Sequence, residues 1–310
     1  MDLLVIHEEV RSALADDRPV VALESTIVAH GLPWPENLEI AQALESEVRR
    51  HGATPATVAV VSGRLTVGLD AGTIERMARA AAPGSTEHWR KANATDLGPL
   101  FATGANAATT VSATTFAAAR AGIRVFATGG IGGVHRGDDM DVSSDLTTLA
   151  HQPVAVISAG AKAILDLPRT LEVLETLGVL VLGVGTSEFP AFYVRSSGLA
   201  LEHRVDGASH AARVLQAHWT LAPGRGVLLA NPIPEADELE PKSIQTAIEA
   251  ALSDAARLSI RGKQLTPHLL SFLARATEKR SLAANRALAL HNAAFGAQVA
   301  VELTRLPPLR

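Results

Sequence analysis

The sequence predicts an α/β protein, a three-layer α/β/α sandwich with a mostly parallel sheet and C-terminal helices. Three observations carry this. Short apolar runs alternate with helical patterns, and strand alternating with helix builds βαβ units. Hydrophobic residues make up 47 % of the chain and aromatic residues only 4 %. The core must therefore be assembled from Ala, Val, Leu and Ile, which suits strands covered by helices on both faces. From about Glu238 onward the pattern is helical only.

The strand-like runs are P-V-V-A-L-E-S (19–25), T-V-A-V-V-S-G (57–63), I-R-V-F-A-T-G-G (123–130), P-V-A-V-I-S-A-G (153–160), V-L-V-L-G-V-G-T (179–186) and G-V-L-L-A-N-P (226–232). Between them, residues 36–52 place Leu38, Ala41, Leu44 and Val48 on one helical face, with Gly52 as C-cap. Residues 109–122 are small and apolar and read as a buried helix. Residues 167–178 close on a second capping glycine, Gly178. No low-complexity linker or internal repeat interrupts the chain, so residues 1–310 read as one domain. A chain of this size can bury roughly three quarters of its surface, enough for a core without staples.

Composition excludes several classes. There is no cysteine, hence no disulfide and no thiolate metal site. No apolar run approaches the ~20 residues of a membrane-spanning helix. The N-terminal M-D-L-L-V-I-H-E-E is charged too early for a secretory signal, so a cytoplasmic protein is expected. The formal net charge is −4, which disfavours a nucleic-acid backbone as partner and leaves room for a small anionic ligand held locally.

In open α/β sheets ligands bind beyond the carboxyl ends of the strands. The predicted tips carry Glu24-Ser25-Thr26, Thr128-Gly129-Gly130, Gly160-Ala161-Lys162 and Asn231-Pro232. Lys162 is a lone cation among small residues. A neutral amine attacks an aldehyde to form a Schiff base, and burial favours the neutral form. The alternative is a lysine whose charge reaches solvent from a helix start. Glu24 suits general acid/base work, because Ser25 and Thr26 beside it are the better capping residues. G-G-I-G-G-V-H-R-G (129–137) satisfies neither the dinucleotide fingerprint nor the Walker A pattern. Its glycines let backbone amides approach a ligand. Asp138, Asp139, Asp141 and Asp145 are hard oxygen donors suited to Mg²⁺ or Mn²⁺, or a solvated acidic turn. His30 and His135 have no metal-ligand spacing, and Asn231 reads as a turn residue before proline.

Together these stretches resemble the pseudouridine-5′-phosphate glycosidase family, which includes the indigoidine synthase A-like proteins. The resemblance rests on A-L-E-S-T-I-V-A-H-G-L-P-W-P-E-N (22–37), T-T-V-S-A-T (109–114), F-A-T-G-G-I-G-G-V-H-R-G (126–137), D-V-S-S-D-L (141–146), V-I-S-A-G-A-K-A-I-L-D (156–166), E-F-P-A-F-Y (188–193), A-N-P-I-P (230–234) and L-T-P-H-L-L (265–270). The resemblance implies reversible cleavage of the C–C glycosidic bond of pseudouridine 5′-phosphate to uracil and ribose 5-phosphate. It implies Lys162 as nucleophile, Glu24 as proton donor and Asp141 as ligand of Mn²⁺ or another divalent metal. Lys91, Val111, Ser143, Ser144 and Asp145 fall on substrate-binding positions, and His135 and Asn285 on positions near the uracil. It also implies a homotrimer. Thr109 and Thr110 are expected to help Lys91 hold the phosphate. Two other readings remain open: another Schiff-base lyase acting on a phosphorylated sugar or related C-glycoside, and a non-catalytic phosphosugar-binding module.

Overall fold

The computed structural model describes residues 3–137, 140–260 and 265–309. The strands are β1 Leu4–Ile6, β2 Val20–Leu23, β3 Thr54–Val61, β4 Arg64–Val67, β5 Arg90–Ala92, β6 Ala107–Thr109 and β7 Val125–Ala127. They continue with β8 Val134–His135, β9 Ala155–Ser158, β10 Leu165–Asp166, β11 Leu180–Val184, β12 Arg204–Val205 and β13 Val227–Ala230. The helices are α1 Glu8–Ala15, α2 Glu36–Arg50, α3 Ala71–Arg79, α4 Leu97–Thr103, α5 Val111–Ala121 and α6 Ser144–His151. After them come α7 Leu167–Thr176, α8 Ala208–Leu221, α9 Pro241–Arg257, α10 Leu265–Ala276 and α11 Arg280–Arg305.

The main sheet runs β1-β4-β3-β2-β7-β9-β13-β11-β12, with β6 joining β3 to β5. From β2 outward through β7, β9, β13, β11 and β12 every pairing is parallel. The antiparallel pairings are β3 with β4 and with β6. β3 is long enough to do both jobs. Its first half lies parallel to β2, and its second half turns to pair with β4 and β6. β2 has its sequence neighbour β3 on one side and the later β7 on the other. The strand order therefore reverses between β2 and β7, which is where a doubly wound sheet opens its crevice.

The core is aliphatic, as composition requires. Ala155, Val156 and Ile157 of β9 and Val227, Leu228, Leu229 and Ala230 of β13 are completely buried. α11 packs across β2, β7 and β9 and against α2 and α8. α5 and α6 pack together, α5 on β2, β3 and β7, and α6 on β13. These are the two helical layers. Among the described residues no helix is long and apolar enough to cross a membrane.

Three local differences from the sequence reading have physical causes. The buried helix begins at Val111, not Thr109. The Thr109 hydroxyl donates to the Val58 carbonyl at 2.7 Å, which holds that residue in β6. Thr110 becomes the cap, its hydroxyl accepting from the Ala113 amide. Second, the stretch after Asp141 holds a helix, α6, capped by Ser143. Asp138 and Asp139 lie outside the described residues. Third, the residues after Glu24 form a π-helical turn, Ile27–Gly31, a form that recurs at functional sites.

Candidate active site

Beyond the carboxyl ends of β2, β7 and β9 lies a cavity of about 370 Å³. Glu24 follows β2 directly, Thr128 follows β7, and Lys162 lies in the turn after β9. Because these strands are neighbours, about 4.8 Å apart, their tips meet at one opening. Ten residues that the resemblance assigned to the site line this cavity: Glu24, Lys162, Lys91, Val111, Ser143, Ser144, Asp145, His135, Asn285 and Asp141. Glu24 and Asn285 lie 261 residues apart in sequence, and the fold brings the ten together.

The Glu24 carboxyl is half-buried and held on both sides. The Thr26 hydroxyl donates to one oxygen and the Thr128 hydroxyl to the other. Burial pushes Glu24 above the ordinary carboxylate value of 4.5; Lys162 pulls against this by charge, as does the Thr128 hydroxyl by its hydrogen bond. The net effect favours the protonated carboxyl, the form that a proton donor needs.

The turn carrying Lys162 is fixed by backbone constraints. Gly160 has φ +77°, and a Cβ built there would lie 2.3 Å from the Pro190 carbonyl oxygen, so the position admits glycine alone. The Lys162 amide then donates to the Ile131 carbonyl at 3.1 Å. The neighbours Ala161 and Ala163 are buried, whereas Lys162 itself is half-buried on the cavity wall. Phe192 crosses close to Gly130, where an added Cβ would lie 2.5 Å from the ring. Its own φ is +65°, a costly conformation for a bulky residue that surrounding structure must enforce.

A polar corner with one cation completes the lining. Lys91 reaches the cavity from β5, and Thr110 and Val111 from the start of α5. Ser143 and Ser144 come from the start of α6. The starts of two helices therefore line the same wall and bring their positive dipole ends to it, although the Ser112, Ala113 and Asp145 amides are taken by side chains. The Ser144 hydroxyl is buried without a hydrogen-bond partner among the described residues, a state that calls for a ligand or a water. Asp145 works differently. Its Oδ1 accepts the Ser112 amide and its Oδ2 the Gly132 amide, both at 2.8 Å. It staples the start of α5 to the glycine loop and so shapes the corner. Thr109 does not take part. Its hydroxyl is committed to Val58 and Thr114, and the residue is fully buried behind the wall.

His135 and Asp141 form the rim. The His135 amide donates to the Asp141 carbonyl at 2.9 Å. Burial holds the His135 imidazole below the usual 6.5, Asp141 opposes this, and Lys162 and Lys91 reinforce it. Among the described residues no group of three His, Cys, Asp or Glu side chains could hold a metal. Both oxygens of Asp145 are taken. The exposed Asp141 carboxylate remains as a hard oxygen donor at the rim. The donor set does not fit an all-protein cage.

Several lining residues were not picked out as site residues from the sequence. In sequence Thr26 reads as a capping residue, and nothing in the tip Thr128-Gly129-Gly130 gives the Thr128 hydroxyl a role. Asn93, whose amide oxygen takes the Thr110 hydroxyl at 3.0 Å, and Phe192 carry no sequence signal of a role. His30, from the π-helical turn, read as a structural histidine and lines the cavity.

Comparison with known proteins gives the family and the fold. Residues 9–302 match the profile of the indigoidine synthase A like protein family. A relative from Caldanaerobacter subterraneus subsp. tengcongensis, named pseudouridine-5′-phosphate glycosidase, is 52 % identical over 97 % of both chains. One of the same name from Deinococcus radiodurans is 50 % identical over 98 % of this chain and 96 % of its own. Among solved structures, the prealnumycin C-glycosynthase AlnA in complex with ribulose 5-phosphate superposes with a TM-score of 0.89 at 39 % identity, covering 98 % of both chains. An indigoidine synthase A-like protein from Thermotoga maritima gives 0.88 at 32 % identity, over 98 % of this chain and 97 % of the other. With its profile, its fold and half its residues held in common, the chain belongs to the enzymes of the indigoidine synthase A-like protein family.

Proposed function

We propose that the chain catalyses reversible cleavage of pseudouridine 5′-phosphate to uracil and ribose 5-phosphate through a Schiff base on Lys162. The observation that carries this is the pairing of Lys162 and Glu24 across β7, facing one cavity that also holds the polar corner of Lys91. The name shared by relatives at half identity supports the substrate. The neighbouring structure's bound ribulose 5-phosphate supports a phosphosugar in the corner.

The chemistry needs these residues. A C–C glycosidic bond has no leaving oxygen to protonate, so two carboxylates in the ordinary glycosidase manner do not suffice. The ribose ring opens with a proton going to O4′, and Nζ of Lys162 bonds to C1′. Glu24 delivers a proton to C5 of uracil. The nitrogen lone pair then expels the base and becomes the imine, and water releases ribose 5-phosphate and the free amine. Lys91, the two helix N-termini and the Ser144 hydroxyl hold the phosphate. That remote binding fixes the sugar in reactive geometry. His135 and Asn285 flank the base. A divalent cation such as Mn²⁺ at Asp141 would add positive charge beside the substrate's oxygens. The protein is expected to assemble as a homotrimer, which light scattering checks.

The test is direct. Uracil, ribose 5-phosphate and Mn²⁺ are incubated with the protein, and formation of pseudouridine 5′-phosphate is followed by ultraviolet absorbance and mass. Product formation supports the reading. Ribose 5-phosphate binding without any product leaves a binding module instead, and cleavage of other phosphosugars without uracil leaves an aldolase-like lyase.

A further inference from the structure

The segment His135-Arg136-Gly137 holds one side chain with no part in the chemistry above. Arg136 directly follows His135, the last residue of β8. Its Nε donates to the Leu165 carbonyl at 3.2 Å and its Nη2 to the Ala163 carbonyl at 3.3 Å. Ala163 lies in the turn that follows Lys162, and Leu165 opens β10 just after it. The same two segments pair as the antiparallel ribbon β8–β10, with His135 opposite Leu165 and Val134 opposite Asp166. Arg169 adds a bond from Nη1 to the Gly137 carbonyl at 2.8 Å. Within the turn, the Leu165 amide donates to the Lys162 carbonyl at 3.0 Å. Arg136 is therefore one carbonyl removed from the nucleophile on one side and one residue from His135 on the other.

A ribbon of two residues per strand is too short to be rigid by itself. A guanidinium is a planar fork with fixed donor directions, so it can hold two carbonyls at a set separation, which the point charge of a lysine cannot. We infer that Arg136 is a positioning residue: it locks the segment bearing His135 to the turn bearing Lys162, so that both address the same bound sugar. Arg136 does not touch the substrate; it acts through the Ala163 and Leu165 carbonyls. The inference rests on the reading of Lys162 as the imine-forming amine.

The test compares Arg136→Met, which keeps a stem but no donors, and Arg136→Lys with the unaltered chain. Three quantities are read: kcat and KM for pseudouridine 5′-phosphate, the rate of borohydride trapping on Lys162 with ribose 5-phosphate, and the ribose 5-phosphate Kd by calorimetry. A misplaced nucleophile costs about 10²-fold, so Arg136→Met should lose about that much in both kcat and trapping rate while Kd stays within about threefold. Arg136→Lys should recover only part of the loss. Trapping and kcat within about twofold of the unaltered chain would overturn the inference, as would a Kd that weakens in step with kcat/KM, since that is direct ligand binding. Thermal unfolding of each variant identifies a general loss of fold, which also counts against a positioning role. If the unaltered chain gives no adduct at all, the imine reading fails first. A normal adduct rate in Arg136→Met refutes the clamp alone.

Discussion

Replacing Asp145 separates a structural staple from a substrate contact. The residue is 4 % exposed, and its two oxygens accept amides from Ser112 and Gly132. Hydrogen bonds to a charged group contribute about 1.5–3 kcal/mol each, and a buried amide left unpaired costs about 1–3 kcal/mol. Asp145→Asn keeps one acceptor but turns an NH₂ toward the second amide, so it should destabilise by about 1.5–3 kcal/mol. Asp145→Ala frees both amides and should cost about 2–6 kcal/mol. Equilibrium urea unfolding reads this as a lower midpoint at unchanged slope. Ribose 5-phosphate affinity should fall as well, because the staple joins the start of α5 to the glycine loop. A change in stability below about 0.5 kcal/mol, the size of an ordinary surface substitution, would refute the reasoning. Lost ligand binding with unchanged stability would make Asp145 a direct substrate contact.

Glu24→Gln should lower turnover by about 10²–10⁴-fold while the protein still binds ribose 5-phosphate. Its stability should also show a pH signature. Burial raises Glu24 above 4.5 in the folded state, so the native chain holds this proton to higher pH than the unfolded chain. Stability from that proton is present below 4.5 and is lost as pH rises through the raised value. Unfolding measured across pH should therefore show Glu24→Gln gaining on the unaltered chain as pH climbs above 4.5, and a gain that shrank with pH would contradict the burial argument. Chelation should remove most activity and Mn²⁺ should restore it, whereas Asp141→Asn should fold normally and lose the response; full activity in metal-verified apoprotein would remove the metal from the account. Gly160→Ala, forced to φ +77° with its Cβ 2.3 Å from the Pro190 oxygen, should cost about 2–4 kcal/mol in urea unfolding, and near-parent stability would mean the turn relaxes freely.

Much of this was legible because parallel strands are apolar throughout and end at glycine-rich, chemically loaded tips. β2, β7, β9, β11 and β13 each fall inside a run the sequence marked out. Their tips brought Glu24 and Lys162 into view. The short pairings were not legible. β5, β6, β8, β10 and β12 have two or three residues each, too few to show a period, and they exist because neighbouring backbone offers partners. α6 was hidden for a different reason: Ser143 and Asp145 serve its cap and the α5 staple, and both look like an acidic turn in sequence. Side-chain commitments were equally invisible. Nothing in T-T-V-S-A-T says that Thr109 faces Val58 while Thr110 faces the cavity. Nor does the sequence show that Phe192 has a left-handed backbone and packs over Gly130.

The central claim is that Lys162 forms the covalent bond to the sugar. Borohydride added during turnover of pseudouridine 5′-phosphate should reduce the imine to a stable secondary amine. Intact-mass analysis should show one ribose-phosphate adduct per chain, and peptide mapping should place it on Lys162. Lys91→Ala should weaken binding yet still trap at high substrate, because its role is charge. Lys162→Ala should lose trapping and C–C cleavage together. Lys162→Arg should lose both as well, since a guanidinium keeps its charge and forms no imine. An adduct mapped to Lys91, or an active Lys162→Arg protein, would contradict the account.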